Sequence, residues 1–216
     1  MKTLKQILLP ALLFLSVSIQ TSAQHLSLGA KGGFTISDLN GSLIKELPTE
    51  NKIGYNLGLT LNYSLSSNIE LLSGLDLSMK GTKVSIKENE VDDLKFDALY
   101  LQLPVHLGYK LPIAGKYSLI FHGGPFIASG IGGKVHELSI AELNNDPDIK
   151  NPGFFSGYFA KRFDYGLGIG VNAETPTRIF VGIGYDWGLK NISRNEASGK
   201  VRTRNFFLSI GYKIRK

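Results

Sequence analysis

From Ile53 onward every second residue is apolar: Ile53, Tyr55, Leu57, Leu59, Leu61 and Tyr63 alternate with Gly54, Asn56, Gly58, Thr60, Asn62 and Ser64. Successive side chains of a β-strand point to opposite sides, so the stretch predicts a strand with one apolar face and one small or polar face. A helix needs apolar residues three and four apart, and that spacing is missing. The same alternation returns in runs that begin near Leu26, Ile69, Leu99, Tyr117, Phe163, Ile179 and Phe206. Eight strands are therefore expected.

The connections are of two kinds. Short turns fall at Ser66 to Asn68, Pro112 to Lys116 and Thr175 to Thr177. Long polar loops fall at about Asp38 to Asn51, Gly81 to Asp97, Gly132 to Tyr158 and Ser193 to Lys200. Walking the chain, long and short connections take turns, as they must in an up-and-down barrel whose long loops gather at one end. No shift of composition marks a second domain.

Alternation gives two faces and does not say which is dry. A soluble, lipocalin-like barrel is apolar inside; a membrane barrel is apolar outside. Three features favour the membrane. The polar face is rich in glycine and carries scattered charges of both signs, which suits a narrow lumen filled by side chains. The aromatics on the apolar face fall at its two ends. Tyr55, Phe163, Tyr165, Tyr185 and Trp187 lie toward the long loops, and Tyr63, Tyr109, Tyr117 and Tyr212 toward the short turns. Two aromatic girdles around an aliphatic band match the headgroup boundaries of a bilayer. Finally, several runs have close to the ~9–11 residues that a tilted strand needs to cross.

The N-terminus reads as an export signal. Lys2 and Lys5 precede an apolar run from Ile7 to Ile19, then Gln20, Thr21, Ser22 and Ala23. A basic start, a short apolar stretch and small residues before a cut make a secretory signal peptide. The expectation is residues 1–23 as signal peptide, cleaved after Ala23, and residues 24–216 as the barrel domain. The run is short of the ~20 residues of a spanning helix. The chain has no cysteine, which excludes a disulfide framework, a thiolate metal site and a cysteine nucleophile.

Several stretches also carry a family likeness: Gly29-Ala30-Lys31-Gly32-Gly33-Phe34, Tyr100-Leu101-Gln102-Leu103-Pro104-Val105, Arg162-Phe163-Asp164-Tyr165-Gly166-Leu167-Gly168, Gly188-Leu189-Lys190-Asn191-Ile192, Arg204-Asn205 and Ile210-Gly211-Tyr212. In this order they resemble the porin-family, PorT-like outer-membrane β-barrel proteins of Bacteroidetes. The resemblance implies an outer-membrane location and a single-domain barrel.

Reactive chemistry is not legible. Gly166-x-Gly168-x-Gly170 looks like part of a dinucleotide fingerprint, but no helix follows it. His136-Glu137 begins like a zinc-protease motif, with Ile140 where the second histidine belongs. His106 and His122 share the polar face and read as a buried, hydrogen-bonded pair. No catalytic, cofactor or metal centre is predicted. The acids and bases of the polar face predict instead a lumen charge network of Lys31, Glu70, Asp76, Lys110, Arg162, Asp164, Glu174 and Asp186. The net charge of +6 is diffuse. Lys200, Arg202 and Arg204 read as a solvated rim within reach of anionic headgroups, not as a nucleic-acid stripe.

The expectation is therefore an all-β, eight-stranded antiparallel up-and-down transmembrane β-barrel of the outer membrane, not an enzyme. Its lumen would be filled, and its long extracellular loops would serve adhesion, partner docking or envelope integrity. Its surroundings would be outer-membrane lipid, with envelope or extracellular proteins as partners through the loops and no nucleic acid. A narrow channel for small solutes and a secreted carrier of an apolar ligand are the alternatives.

Overall fold

A computed structural model describes residues 25–41, 49–84, 94–113, 115–136, 155, 160–194 and 199–215. The expected export signal at 1–23 and the Glu137 and Ile140 positions lie outside these residues. The strands are β1 (Leu26–Asn40), β2 (Thr49–Ser64), β3 (Ile69–Val84), β4 (Leu94–Pro112), β5 (Ser118–His136), β6 (Phe163–Glu174), β7 (Ile179–Gly188) and β8 (Arg202–Arg215). Each pairs antiparallel with its sequence neighbour, and β1 pairs with β8 to close the barrel. Closure leaves no sheet edge in the hydrocarbon, where an unpaired N–H or C=O would go unsatisfied.

The alternation becomes radial. In β7, Ile179, Val181, Ile183 and Trp187 are exposed, while Phe180, Gly182, Gly184, Asp186 and Gly188 are buried. Large apolar side chains cover the outside of every strand, with Ile53 at 72% and Phe34 at 67% exposure. Lys80, Asp164, Thr35 and Thr82 are at or below 2%. Such a surface is stable only against lipid, since monomeric soluble proteins do not leave a continuous apolar belt in water. The carrier alternative needs the opposite arrangement, and this finding overturns it.

The strands extend further toward the long loops than the alternation indicates. β3 runs on to Val84, β4 starts at Leu94 and β5 reaches His136, all inside stretches that read as loop. Beyond the apolar band the outer face becomes polar, as at Lys83, Lys95 and Asp97, while the apolar residues pass to the inner face at Phe96, Ala98 and Tyr100, and the ladder continues from Lys95↔His136 downward. β4 and β5 each have 19 residues, well beyond the ~9–11 that cross a bilayer.

The barrel axis is not uniformly polar. Near the long-loop end Leu39, Ala98, Tyr100, Phe126, Ala128, Phe155, Ala160, Ile192 and Val201 form a buried apolar cluster. The Tyr100 and Phe155 rings meet edge to face at 5.4 Å between centroids. Gly130 makes room for this contact, because a Cβ there would sit 2.1 Å from the Phe155 ring.

Candidate functional site

Because the strands alternate, every second residue delivers its side chain to the axis, and the interior is built in layers. The layer nearest the short turns holds Glu70 of β3, Lys110 of β4, Glu174 of β6 and Lys213 of β8. Glu174 Oε2 accepts from Lys213 Nζ at 3.0 Å and from Lys110 Nζ at 3.2 Å. Glu70 lies 3.7 Å from Lys110 and 4.0 Å from Lys213. Two carboxylates and two ammonium groups thus sit together, so the charges balance without bulk solvent.

In the middle layer Lys31 Nζ donates to Asp76 Oδ2 at 2.9 Å. Across the lumen, Lys80 Nζ donates to Gln102 Oε1 at 2.8 Å, and Gln102 Nε2 donates to Asp186 Oδ2 at 3.0 Å. Gln102 therefore relays between a cation and an anion that do not touch. His106 and His122 stack at 5.2 Å with their Nδ1 atoms 3.0 Å apart, a separation at which one ring donates and the other accepts. Among the described residues no group of three metal-ligating side chains forms around them.

The run Gly166, Gly168 and Gly170 explains itself here. A Cβ on Gly168 would lie 2.6 Å from Asp186 Oδ1 and 2.9 Å from His106 Cε1, and one on Gly170 would lie 2.6 Å from His122 Cε1. These glycines leave space for the histidines and the acid opposite. They are lumen packing, not a nucleotide loop.

In the upper layer Asp164 accepts from Thr203 Oγ1 at 2.7 Å and from the Tyr165 backbone N–H at 2.8 Å. Lys80 Nζ lies 5.3 Å from the Tyr100 ring and 5.0 Å from the Phe126 ring, joining the polar column to the apolar cluster. At the same end, on the outer side, Lys52 and Asp97 form an ion pair, Asp97 sharing the parity of Leu99 and Leu101. Between the middle and lower layers lies a polar cavity of about 80 Å³, bordered by Lys31, Asp76, Gln102, His106, Asp186 and Asn205.

Seven of the eight residues read as a lumen network thus face the axis. Arg162 stands apart. It precedes β6, is exposed, and donates from Nη1 to the Gly130 carbonyl at 3.1 Å with its guanidinium 5.6 Å from the Phe155 ring. The Gly130 N–H donates to the Arg162 carbonyl at 2.7 Å, which carries the β5–β6 pairing one residue past Phe163, so Arg162 keeps its inward parity but meets an aromatic ring in place of an acid. Gln102 and Lys213 belong to the network beyond the eight expected residues. Both stand on the inward stripe and could have been found by following the period.

On the outer face Tyr55, Tyr109, Tyr117, Phe163, Tyr165, Trp187 and Tyr212 are exposed, and Tyr63 and Tyr185 are half-buried. Tyr185 and Trp187 approach to 4.6 Å on β7. Phe34, Phe121 and Phe206 also point outward, so phenylalanines join the tyrosines and the tryptophan in covering the wall.

The barrel is similar to solved membrane barrels. OprG of Pseudomonas aeruginosa matches with 14% identity and a TM-score of 0.50, over 90% of this chain and 99% of that one. The neisserial surface protein NspA matches with 10% identity and a TM-score of 0.49, over 87% and 97%. Ail, the attachment invasion locus protein of Yersinia pestis, gives 13% identity and a TM-score of 0.43, over 88% and 99%. At these identities the likeness is one of fold. No curated protein matches the sequence. Residues 20–194 match the outer membrane protein beta-barrel domain, most of the chain and most of its strands. With an apolar outer wall, a closed ladder and this match, the chain belongs to the outer membrane protein beta-barrel domain family and resides in the outer membrane.

Proposed function

We propose that this protein is a non-enzymatic barrel that holds its long loops at the cell surface, where they serve adhesion, partner docking or envelope integrity, and that its lumen does not conduct. The observation that carries this reading is the filling of the lumen. Ion-paired layers and the Tyr100–Phe126–Phe155 cluster stand across the axis, and the space left between the lower layers is about 80 Å³. Eight strands leave an interior that side chains just fill, whereas aqueous channels are built on ~16–18 strands. The expected result in planar lipid bilayers is a flat current trace; stable single-channel steps would overturn the proposal in favour of a narrow solute channel.

The orientation follows from the export route: residues 1–23 direct the chain outward and are removed, and residues 24–216 insert with the short turns facing the periplasm. The mass of the purified protein checks the cleavage, with Gln24 expected first. Protease treatment of intact cells should cut only within the four long connections. A cut at Ser66–Asn68, Pro112–Lys116 or Thr175–Thr177 would reverse the orientation. The six motifs given above support the finer reading of a PorT-like Bacteroidetes relative.

A further inference from the structure

The outer wall carries a charged feature that the proposed loop function leaves unused. At the long-loop end of β8, Arg202 and Arg204 lie on the stripe that continues downward as Phe206, Leu208 and Ile210, all of them exposed. Residues two apart in a strand share a face about 7 Å apart. Both guanidiniums therefore stand above the lipid-facing wall and not over the lumen. Among the described residues neither has a hydrogen-bond or ion-pair partner. Asp38, which is in register with Arg204, is engaged instead by the Thr82 hydroxyl at 3.1 Å. Between these arginines and β7 lies a pocket of about 250 Å³ with Leu167, Trp187 and Leu189 as its apolar wall. Those three side chains are 39–49% exposed, and Trp187 sits at the level where amphipathic rings meet headgroups.

We propose that this pocket binds the phosphate of an outer-leaflet glycolipid, a phosphorylated lipid A headgroup, with Arg202 and Arg204 gripping the phosphate and Leu167, Trp187 and Leu189 receiving the first segment of its acyl chain. The chemistry is complementary on both counts. A guanidinium offers a planar pair of donors to phosphate oxygens and sheds its water more readily than an ammonium. An apolar wall directly below the cations suits a ligand that is anionic at one end and hydrocarbon at the other, which a soluble anion is not. The inference rests on the proposed orientation for the choice of leaflet, but phosphate binding in micelles does not depend on it. The two therefore fail separately.

Trp187 is the only tryptophan of the chain, so its emission reports on the pocket itself. The protein, folded in a neutral detergent, is titrated with diphosphorylated lipid A, with its dephosphorylated form and with inorganic phosphate. A saturable change of Trp187 emission is expected for the phosphorylated lipid alone. In the double variant R202Q/R204Q the affinity should fall about tenfold or more, the loss of at least one charge-assisted hydrogen bond. The control K116Q/R178Q removes the same charge at the short-turn end and should bind like the unaltered protein. Native mass spectrometry of the unaltered protein should retain one lipid per chain. Equal response to the dephosphorylated lipid, saturation by inorganic phosphate, an equal loss in the control or no retained lipid would each overturn the site.

Discussion

Replacing Lys31 by Met should lower the unfolding free energy in detergent by about 3 kcal/mol. Lys31 is the hydrogen-bond partner of Asp76 at 2.9 Å, and the two side chains are 19% and 12% exposed. Removing the cation leaves a carboxylate in a poorly solvated lumen whose other oxygen, Oδ1, already has no hydrogen-bond partner. The usual cost of breaking a buried pair is ~3–5 kcal/mol, and the adjoining polar cavity of about 80 Å³ argues for the lower end. The size of the effect comes from the orphaned charge, not from the worth of the bond. Accordingly the double variant K31M/D76N should recover most of the loss, which a double-mutant cycle in urea reads directly. An unfolding midpoint unchanged in Lys31→Met would mean that Asp76 is hydrated without its partner. The lower layer should behave differently. Glu174 has both Lys110 and Lys213 within 3.2 Å, so loss of one lysine leaves the other in place and costs less.

Substituting Gly33 by Val should be at least as damaging, for a steric reason. Gly33 stands in the β1–β8 ladder that closes the barrel, opposite Ser209. A Cβ at this position would fall 1.9 Å from the Leu208 carbonyl oxygen and 2.7 Å from the Ser209 Cα. Overpacking costs ~1–3 kcal/mol where side chains can give way. Here the obstructing atoms are backbone of the partner strand, so relief requires the seam to part, and a parted seam exposes unpaired N–H and C=O groups to hydrocarbon. About 3 kcal/mol or more is expected, together with loss of the compact form that folded barrels keep in unheated detergent gels. Gly132 of β5 supplies the contrast, because a Cβ there meets nothing within 4 Å. Gly132→Val should leave stability within about 0.5 kcal/mol. If Gly33→Val folds and melts like the parent, the seam is looser than its register indicates.

The eight strands, their order and the alternation of turns were legible because a bilayer allows little else. Each crossing segment must show lipid one face and the lumen the other, so the period of two is written strongly in stretches such as Ile179 to Trp187. Where that pressure ends, so does legibility. β3, β4 and β5 continue past the band at Thr82, Lys95 and Lys134, where the outer stripe turns polar and the apolar residues Phe96 and Ala98 change sides. Arg162 shows a limit for side chains: its parity is inward, yet what it meets at the end of the ladder is the Gly130 carbonyl and the Phe155 ring, not an acid. Tyr100 and Phe126 shared the stripe with glycines and ions, and nothing in their spacing announces that they meet Phe155, which is far along the chain.

Barrel closure and strand number could be read from sequence, since these follow from local periodicity and from the requirement that every backbone polar group be paired in hydrocarbon. Tertiary structure alone decided who meets whom inside. Lys31 finds Asp76 and not another acid, Gln102 bridges Lys80 to Asp186, and an aromatic knot tops the lumen, because the register of closure sets the height of each side chain. Height around a closed ladder is the sum of every pairing from β1 to β8, a quantity no single stretch of sequence contains.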